Sequence, residues 1–513
     1  MKGSGTTTSV WMDTGVADAA AGGFTAGGPA EVTADVAVVG AGIAGVTTAY
    51  LLQRSGKRVL LLDDGNPGDG ETGRTTAHLS NAIDDRYTEI ERVHGTGGAR
   101  LAADSHTAAI DTIERLAREE GIDCGFARVD GYLMLAPGDD PRVLDEERAA
   151  AHRAGLTDVE RIDLPPGPVA HPGPCLRFPA QARFHPMAYL AGLVRAFRAR
   201  GGRLASGARV ERVAETGDHV TLSVAGGPTV VADTAVVATN SPISDLFAIH
   251  TKQAPYRTYA IALRVARGAV PDALYWDTRD IYHYVRLQPA GDHDLLIVGG
   301  EDHKTGEARD MESRWAALEE WTRVHFPAAG AVERRWSGQV MEPYDGLAFI
   351  GRDPGGKGRV HVVTGDSGMG MTHGTLAGLL LCELIHGFDH PWAGLYNPSR
   401  LMTKSLRGFL EENLDVARQY LRHLAPSDAD AEADVAPGQG AVIREGGRPV
   451  AVYRDPQGTV HRRSAVCTHL HCIVRWNPAE SSWDCPCHGS RFAPDGTVLN
   501  GPAAAPLAGV EPR

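Results

Sequence analysis

Two constellations in this chain have residue types and spacings that can do redox chemistry. Near the end, Cys467 and His469 form a C-x-H pair, and Cys485 and His488 form a C-x-x-H pair. Two thiolates and two imidazoles on two loops suit a 2Fe–2S centre, with two Cys on one iron and two His on the other. The same four donors also suit tetrahedral zinc, although zinc fingers carry longer His–His spacing on a helix and no C-P-C-H-G-S loop. The second constellation is Gly40-Ala41-Gly42-Ile43-Ala44-Gly45. It follows the apolar run Val36–Val39 and opens an apolar helical stretch to about Arg54. A second apolar run, Lys57–Leu62, ends at Asp63-Asp64, and Asp63 stands 18 positions after Gly45. That context makes G-x-G-x-x-G a dinucleotide fingerprint. Gly40 permits the tight turn, Gly42 lets the backbone approach a pyrophosphate, and Gly45 allows close helix–strand packing. The helix N-terminus, with Ile43 and Ala44, offers free N–H groups to phosphates, and Asp63 accepts hydrogen bonds from a ribose.

These residues need elements to hold them. The start at Asp35 reads as strand, glycine turn, helix, strand. Arg209–Thr239 alternates like antiparallel strands, and Tyr256–Arg264 and Ile281–Val298 also read as strands. Helical stretches are predicted at 104–120, 143–154 and 186–200. The mixture predicts an α/β fold, a Rossmann-like domain with a second sheet-bearing α+β domain inserted in it. Thr403–Leu424 reads as an amphipathic helix on the spacing of Leu406, Leu410, Ala417, Leu421 and Leu424. Residues 426–434 have little apolar content and read as a linker. Beyond Val435 short strands at Ala441–Ile443 and Val450–Tyr453 and Gly/Pro turns predict a small all-β module.

Composition narrows the function. A length of 513 residues predicts two to four domains. Net charge is −13, which argues against nucleic acid as a partner. The last 78 residues carry eight basic and six acidic side chains, a +2 module on an acidic remainder, an opposition that favours docking. No apolar run approaches the roughly 20 residues that span a bilayer. Residues 1–30 lack a basic region followed by an apolar one, so a cytoplasmic protein with a loose N-terminal arm is expected. Of the seven cysteines, Cys124, Cys175 and Cys382 are scattered and read as buried bystanders.

Four stretches resemble the flavoprotein superfamily of D-amino-acid oxidase, glycine oxidase and sarcosine oxidase: residues 35–65, G-E-T-G-R-T-T-A-H-L-S at 70–80, Val236–Asn240, and 345–351 continuing through 360–372. The resemblance implies FAD as the dinucleotide. It assigns flavin contact to Gly73, Arg74, Thr75, Thr76, Ala77 and His78, adenine contact to Val210, and further contact to Ala238 and Thr239. Asn240 replaces a family glycine, and Asn tolerates the left-handed backbone the turn needs. A helix opening near Gly370-Met371-Thr372 would aim N–H groups at the flavin edge where charge gathers on reduction. His78 stands near the place where some amine-oxidising relatives attach FAD covalently; it reads as a covalent anchor, a non-covalent contact or a structural residue. The implied domains are a flexible arm at 1–34, a discontinuous FAD-binding domain at 35–105, 180–250 and 330–400, a substrate domain at 106–179 and 251–329, and helix plus linker at 401–434.

Residues 435–513 resemble a Rieske domain, which assigns Cys467, His469, Cys485 and His488 as cluster ligands. It also matches Cys472 and Cys487 to the disulfide that braces the loops in respiratory-type members. Two positions depart from that pattern. His471 stands where the family has glycine, and Phe492 replaces a tyrosine of high-potential members, removing a hydrogen bond toward a ligand sulfur and predicting a lower potential. A flavin passes on two electrons one at a time and a 2Fe–2S centre carries one, so the pair implies oxidation at FAD and export through the cluster. The flavoprotein resemblance implies a C–N bond of an amine, amino acid or N-methyl compound as substrate, and a one-electron acceptor or donor protein as partner. Alternatives are an electron-transfer component working in the reductive direction and a redox sensor. Candidate substrate contacts are Tyr282, Tyr284, Arg286 and Gln288, which share a face by period two. Arg286 is the candidate carboxylate clamp, and His373 and Tyr259 are further candidates.

Overall fold

The computed structural model describes residues 5–12, 24, 29–170, 173–243, 247–308, 310–401 and 427–511. The predicted helix at 403–424 lies outside the described residues.

A mostly parallel sheet forms the nucleotide-binding layer. Its strands run in the order Phe349–Arg352, Val360–Thr364, Thr229–Val237, Glu31–Val39, Val59–Leu62 and Arg203–Ala205. The hairpin Val210–Thr216 and His219–Val224 extends from Thr229–Val237. Glu31–Val39 is apolar on both faces because both faces are covered: Val36 and Val38 join one core cluster, Ala37 and Val39 the opposite one. The helices Ile43–Arg54, Arg86–Glu119, Pro186–Ala199 and Gly370–Ile385 pack on the first of these faces. A Cβ on Gly374 would lie 2.7 Å from Ile43 Cγ2, and one on Gly378 2.7 Å from Thr47 Cγ2. These two glycines let the last helix lie against the first.

The second sheet runs Val332–Pro343, Gln253–Ala266, His293–Lys304, Tyr284–Ala290, Leu274–Asp277, Ala127–Met134, Cys175–Arg183 and His78–Leu79, with Glu160–Ile162 on Cys175–Arg183. Helix Glu312–His325 covers one face through Trp315, Leu318 and Trp321.

Several expected boundaries shift. Val332–Pro343 pairs along its length with Gln253–Ala266, so that part of 330–400 belongs to the second sheet. The cut at 180 falls inside the strand Cys175–Arg183. The helix expected at 104–120 begins at Arg86, with a break at Gly95, and its buried residues Ala109, Ile110 and Ile113 pack with the nucleotide-binding layer. Nor is all of 1–34 a loose arm. Trp11 and Ser9 are fully buried, Ser9 Oγ donates to the Gly73 carbonyl at 2.5 Å, and Trp11 Nε1 donates to the Thr75 carbonyl at 2.6 Å. An apolar indole inside a small polar segment finds a pocket that composition does not reveal.

The C-terminal module has a three-stranded sheet (Gly440–Glu445, Arg448–Arg454, Val460–Ser464) and a four-stranded one (Arg475–Asn477, Ser482–Asp484, Arg491–Phe492, Val498–Asn500). Its core gathers Trp483, Phe492 and Leu507 around Cys467, Cys472, Cys485 and Cys487. The docking contact opposes the net-charge expectation. Glu480 of the module is buried on the body's Arg74 and Arg257, each 3.3 Å from its Oε1, and also accepts from Ser337 Oγ and, at 2.5 Å, from Thr7 Oγ1. Burial pushes the Glu480 carboxyl up, but the guanidiniums outweigh it and hold it below its ordinary range.

Candidate active site and cluster site

One cavity of about 900 Å³ runs between the two sheets, and residues of the C-terminal module line part of its wall. At one end lie Gly40, Gly42, Ile43, Ala44, Asp63, Asp64, Val210, Ala238 and Thr239. Gly40 has φ 101°, and a Cβ there would sit 2.3 Å from the Ala238 carbonyl oxygen. Gly45 does not line the cavity; its Cβ would sit 1.8 Å from the Gly40 carbonyl oxygen, so it serves the turn from behind. Asp63 accepts from the backbone N–H of Ala41 at 2.6 Å and of Gly65 at 2.8 Å, which holds it across the fingerprint turn. Asn240 adopts φ 63°, as the glycine it replaces would.

In the 70–80 loop, Arg74, Thr75, Thr76 and His78 line the cavity, while Gly73 and Ala77 do not. Gly73 takes the N-terminal segment, and Ala77, at φ 61°, presents its carbonyl to Arg286. The Arg74 guanidinium is engaged by Glu480, the Ser337 carbonyl and Thr7. His78 meets Thr76 Oγ1 through Nδ1 at 3.1 Å, its Nε2 is buried without a partner, and burial lowers it to about 3. Gly370 and Met371 line the cavity at the start of the last helix; Thr372 points away, donating to the Met369 carbonyl and meeting His106 Nδ1 at 2.8 Å.

The substrate candidates divide. Tyr282 and Tyr284 line the cavity. A Cβ on Gly299, across the sheet, would lie 2.2 Å from the Tyr284 ring, so that glycine seats the tyrosine. Arg286 is no carboxylate clamp. It is fully buried and donates to the carbonyls of Ala77 at 2.6 Å, Phe184 at 3.0 Å and Leu287 at 3.1 Å, and to Gln288 Oε1 at 2.6 Å. Its fork pins the 76–77 loop. Tyr259 is also excluded: Tyr256, Thr258 and Ala260 face the cavity, and the pleat turns Tyr259 the other way, onto His303 at 2.9 Å and Trp315. His373 does line the cavity, with Nδ1 2.8 Å from the Asp366 carbonyl and Nε2 buried without a partner; burial lowers it to about 4.

Sequence reading missed an acidic wall. Asp84, Asp85, Asp302, Glu342 and Asp366 line the cavity around Tyr282 and Tyr284. Tyr282 donates to Asp84 Oδ2 at 2.6 Å, and Ser367 donates to Glu342 Oε2 at 2.7 Å. Burial, reinforced by neighbouring carboxylates, raises Asp84 to about 7, Asp85 and Asp302 to about 6, and Glu342 well above its ordinary value. The lining arginines do not offset it: Arg74 is engaged, Arg86 donates to the Thr278 carbonyl, Arg209 pairs with Asp64, and Arg279 is exposed. The acids come from four separated segments and carry no spacing signature.

In the module, Cys467, His469, Cys485 and His488 stand on two facing loops. The Cys472 and Cys487 sulfurs are bonded to each other and lie within 4.8 Å of Cys485 Sγ, which leaves Cys467 and Cys485 as the free thiols among the module's four cysteines. Ser490 is fully buried and hydrogen-bonds Cys467, and the rings of His469 and His488 lie 5.1 Å apart. His488 Nδ1 is buried without a partner, as a ligand nitrogen would be before iron is counted. The donor set fits a 2Fe–2S cluster, and the glycine cradle fits a dinucleotide. His471 is exposed at φ 60°, the left-handed backbone that explains the family's glycine. The cluster loop reaches the cavity wall: Gln339, which lines the cavity, donates to the Gly489 carbonyl at 3.1 Å, and Val498–Gly501, Ala503 and Ala504 form part of that wall.

Comparison with known proteins agrees with this geometry. Residues 35–384 match the FAD dependent oxidoreductase (DAO) family, and residues 426–511 match the Rieske [2Fe-2S] domain. The chain is 30% identical over 485 residues, 93% of either chain, to the Bacillus subtilis protein YhfW, named as a Rieske 2Fe–2S iron–sulfur protein. It is 25% identical over 372 residues to the gamma-glutamylputrescine oxidoreductase of Escherichia coli, covering 70% of this chain and 84% of that one. Glycine oxidase from Geobacillus kaustophilus superposes with a TM-score of 0.62 at 19% identity over 72% of this chain and 99% of that one. The chain belongs to the DAO family of FAD-dependent oxidoreductases, with FAD in its N-terminal body and a 2Fe–2S cluster in a C-terminal Rieske domain.

Proposed function

We propose that this protein dehydrogenates the C–N bond of a small amine in its cationic form and delivers the electrons to its own Rieske centre. Bound FAD supplies acceptance of the hydride's electron pair, and the cluster supplies one-electron export. The observation that carries the reading is the shared wall: Val498–Gly501, Ala503 and Ala504 of the cluster module line the same cavity as the dinucleotide fingerprint. The residues that would hold FAD are the Gly40–Ala44 turn, Asp63, Asp64, Val210, Ala238, Thr239, Thr75, Thr76, Gly370 and Met371. Those that would hold the cluster are Cys467, His469, Cys485 and His488.

The acidic wall supports a cation over a plain amino acid, since the Arg286 guanidinium is taken by backbone carbonyls and carboxylates line the cavity around Tyr282 and Tyr284. In balance, R–CH₂–NH₃⁺ loses a hydride from carbon and a proton from nitrogen to give R–CH=NH₂⁺. Asp84, with a carboxyl that ionises near pH 7, suits the proton-accepting role. Tyr282 orients it through the 2.6 Å hydrogen bond. The likeness to a gamma-glutamylputrescine oxidoreductase supports an amine substrate class. A one-electron acceptor protein completes the cycle.

Anaerobic addition of an amine and amino-acid panel to the loaded protein tests this. Amines should bleach the flavin absorbance and then raise the electron paramagnetic resonance (EPR) signal of the reduced cluster. Cluster reduction only by an external donor would instead favour the reductive direction, and no response to any substrate would favour a sensor.

A further inference from the structure

Gln339 joins the cavity wall to the cluster loop. It lies in the strand Val332–Pro343, lines the cavity and is 1% exposed. Its backbone N–H donates to Glu71 Oε2 at 2.7 Å, and the other oxygen of Glu71, itself a lining residue, accepts from Asn500 Nδ2 of the module at 3.4 Å. The Gln339 side chain reaches the module, where Nε2 donates to the Gly489 carbonyl at 3.1 Å. A carbonyl only accepts, so this contact fixes the amide with its NH₂ toward the cluster loop. Gly489 stands between His488 and Ser490, which hydrogen-bonds Cys467. A Cβ on Gly489 would sit 2.7 Å from Gln339 Nε2 and 2.8 Å from Pro255 Cβ, so only bare backbone lets the loop seat on this amide.

The ligand edge of the module faces the body. His488 is 3% exposed, and His250, at the end of the short helix Phe247–His250, packs edge-to-face on His469 at 4.9 Å and on His488 at 5.6 Å. His250 does not line the cavity; Gln339 both lines it and holds the loop. Electron transfer falls steeply with distance, and a hydrogen bond couples two centres better than a gap of the same length. We infer that Gln339 is a positioning residue for flavin-to-cluster transfer: its hydrogen bond to Gly489 holds the cluster loop at the cavity and supplies a bonded path between them. The inference rests on the proposed delivery of electrons to the Rieske centre. In that step one electron leaves the reduced flavin and converts one ferric iron of the cluster to ferrous. The second follows once the acceptor protein has taken the first, and the proton left of the hydride passes to a wall carboxylate. Gln339 itself is unchanged.

The test uses the full-length protein with both cofactors. Photoexcited 5-deazariboflavin delivers single electrons in a flash, and their redistribution between flavin and cluster is followed in the visible as a phase whose rate is independent of protein concentration. Gln339→Met keeps the length of the side chain and removes the donor. It should slow that phase on the order of tenfold, the scale of cost for misplacing reacting partners by a fraction of an ångström. Both reduction potentials and the cluster g-values should stay at wild-type values, so that the driving force is constant. Gln339→Glu, nearly the same shape but without a donor when ionised, should slow it at least as much. A wild-type rate in either loaded variant overturns the inference, as does loss of both cofactors from both variants, which would assign Gln339 to the fold alone. A wild type without any concentration-independent phase would refute delivery to the cluster, and this inference with it; a wild-type phase indifferent to position 339 refutes only the role of Gln339.

Discussion

Arg286 shows how a side chain suited to substrate binding is taken by the fold. Its guanidinium reaches carbonyls from the 76–77 loop and from Phe184, so it is a brace for that cavity-lining loop. Arg286→Met leaves those acceptors buried and unpaired, and should destabilise the protein by about 3 kcal/mol or more. Thermal unfolding and flavin content check this; an unchanged melting temperature with a raised KM alone would restore the clamp. Phe492 is the second decisive residue. It is fully buried in the module core, with no hydroxyl to offer the ligand sulfur. Phe492→Tyr should raise the cluster potential by roughly 59 mV, a tenfold change in a one-electron equilibrium, measured by EPR-monitored titration.

At the level of elements, the acidic wall is assembled from the loop at 84–85, the strands His293–Lys304 and Val332–Pro343, and the turn before the last helix. Folded-state values raised above the ordinary carboxylate range mean that ionising these groups costs stability. The protein should therefore lose stability as pH rises from about 4 toward 7, while affinity for a cation rises as the same groups ionise. Glu342→Gln should make the fold about 1 kcal/mol more stable at pH 8 and lower kcat/KM for a cationic amine on the order of tenfold. Denaturation at two pH values and a pH profile of kcat/KM measure both. Equal losses for cationic and zwitterionic substrates would remove the wall from recognition.

Across the whole molecule, the module is fastened at a buried charge cluster. Glu480 has no exposed side-chain surface and serves Arg74, Arg257, Ser337 and Thr7 together. Glu480→Leu leaves two guanidiniums buried without their counter-charge, a loss of about 3–5 kcal/mol. Calorimetry should show the module melting apart from the body, and because Val498–Ala504 walls the cavity, FAD retention should fall with it. A single unaltered transition would refute this fastening. The depressed Glu480 value sets the acid limit: its contribution is present above about pH 4.5 and is lost as pH falls through the lower folded value. Among the described residues, no helix is long and apolar enough to cross a membrane.

The glycine fingerprint, Asp63 and the two cysteine–histidine pairs were legible in the sequence because each is a local pattern: short spacing forces the turn, the helix start or the facing loops whatever surrounds them. The strands were legible for the same reason, through period-two alternation. Tyr259 was misread because one step along a strand reverses the face, and only the packed sheet shows that 256, 258 and 260 meet the cavity. Arg286, the acidic wall, the seated Trp11, Glu480 and His250 depend on contacts between segments hundreds of residues apart. Residue type and spacing determined which cofactors the chain can hold; tertiary packing decided which charges line the cavity and which histidine stands against His469 and His488, because burial and pairing are properties of the assembled neighbourhood.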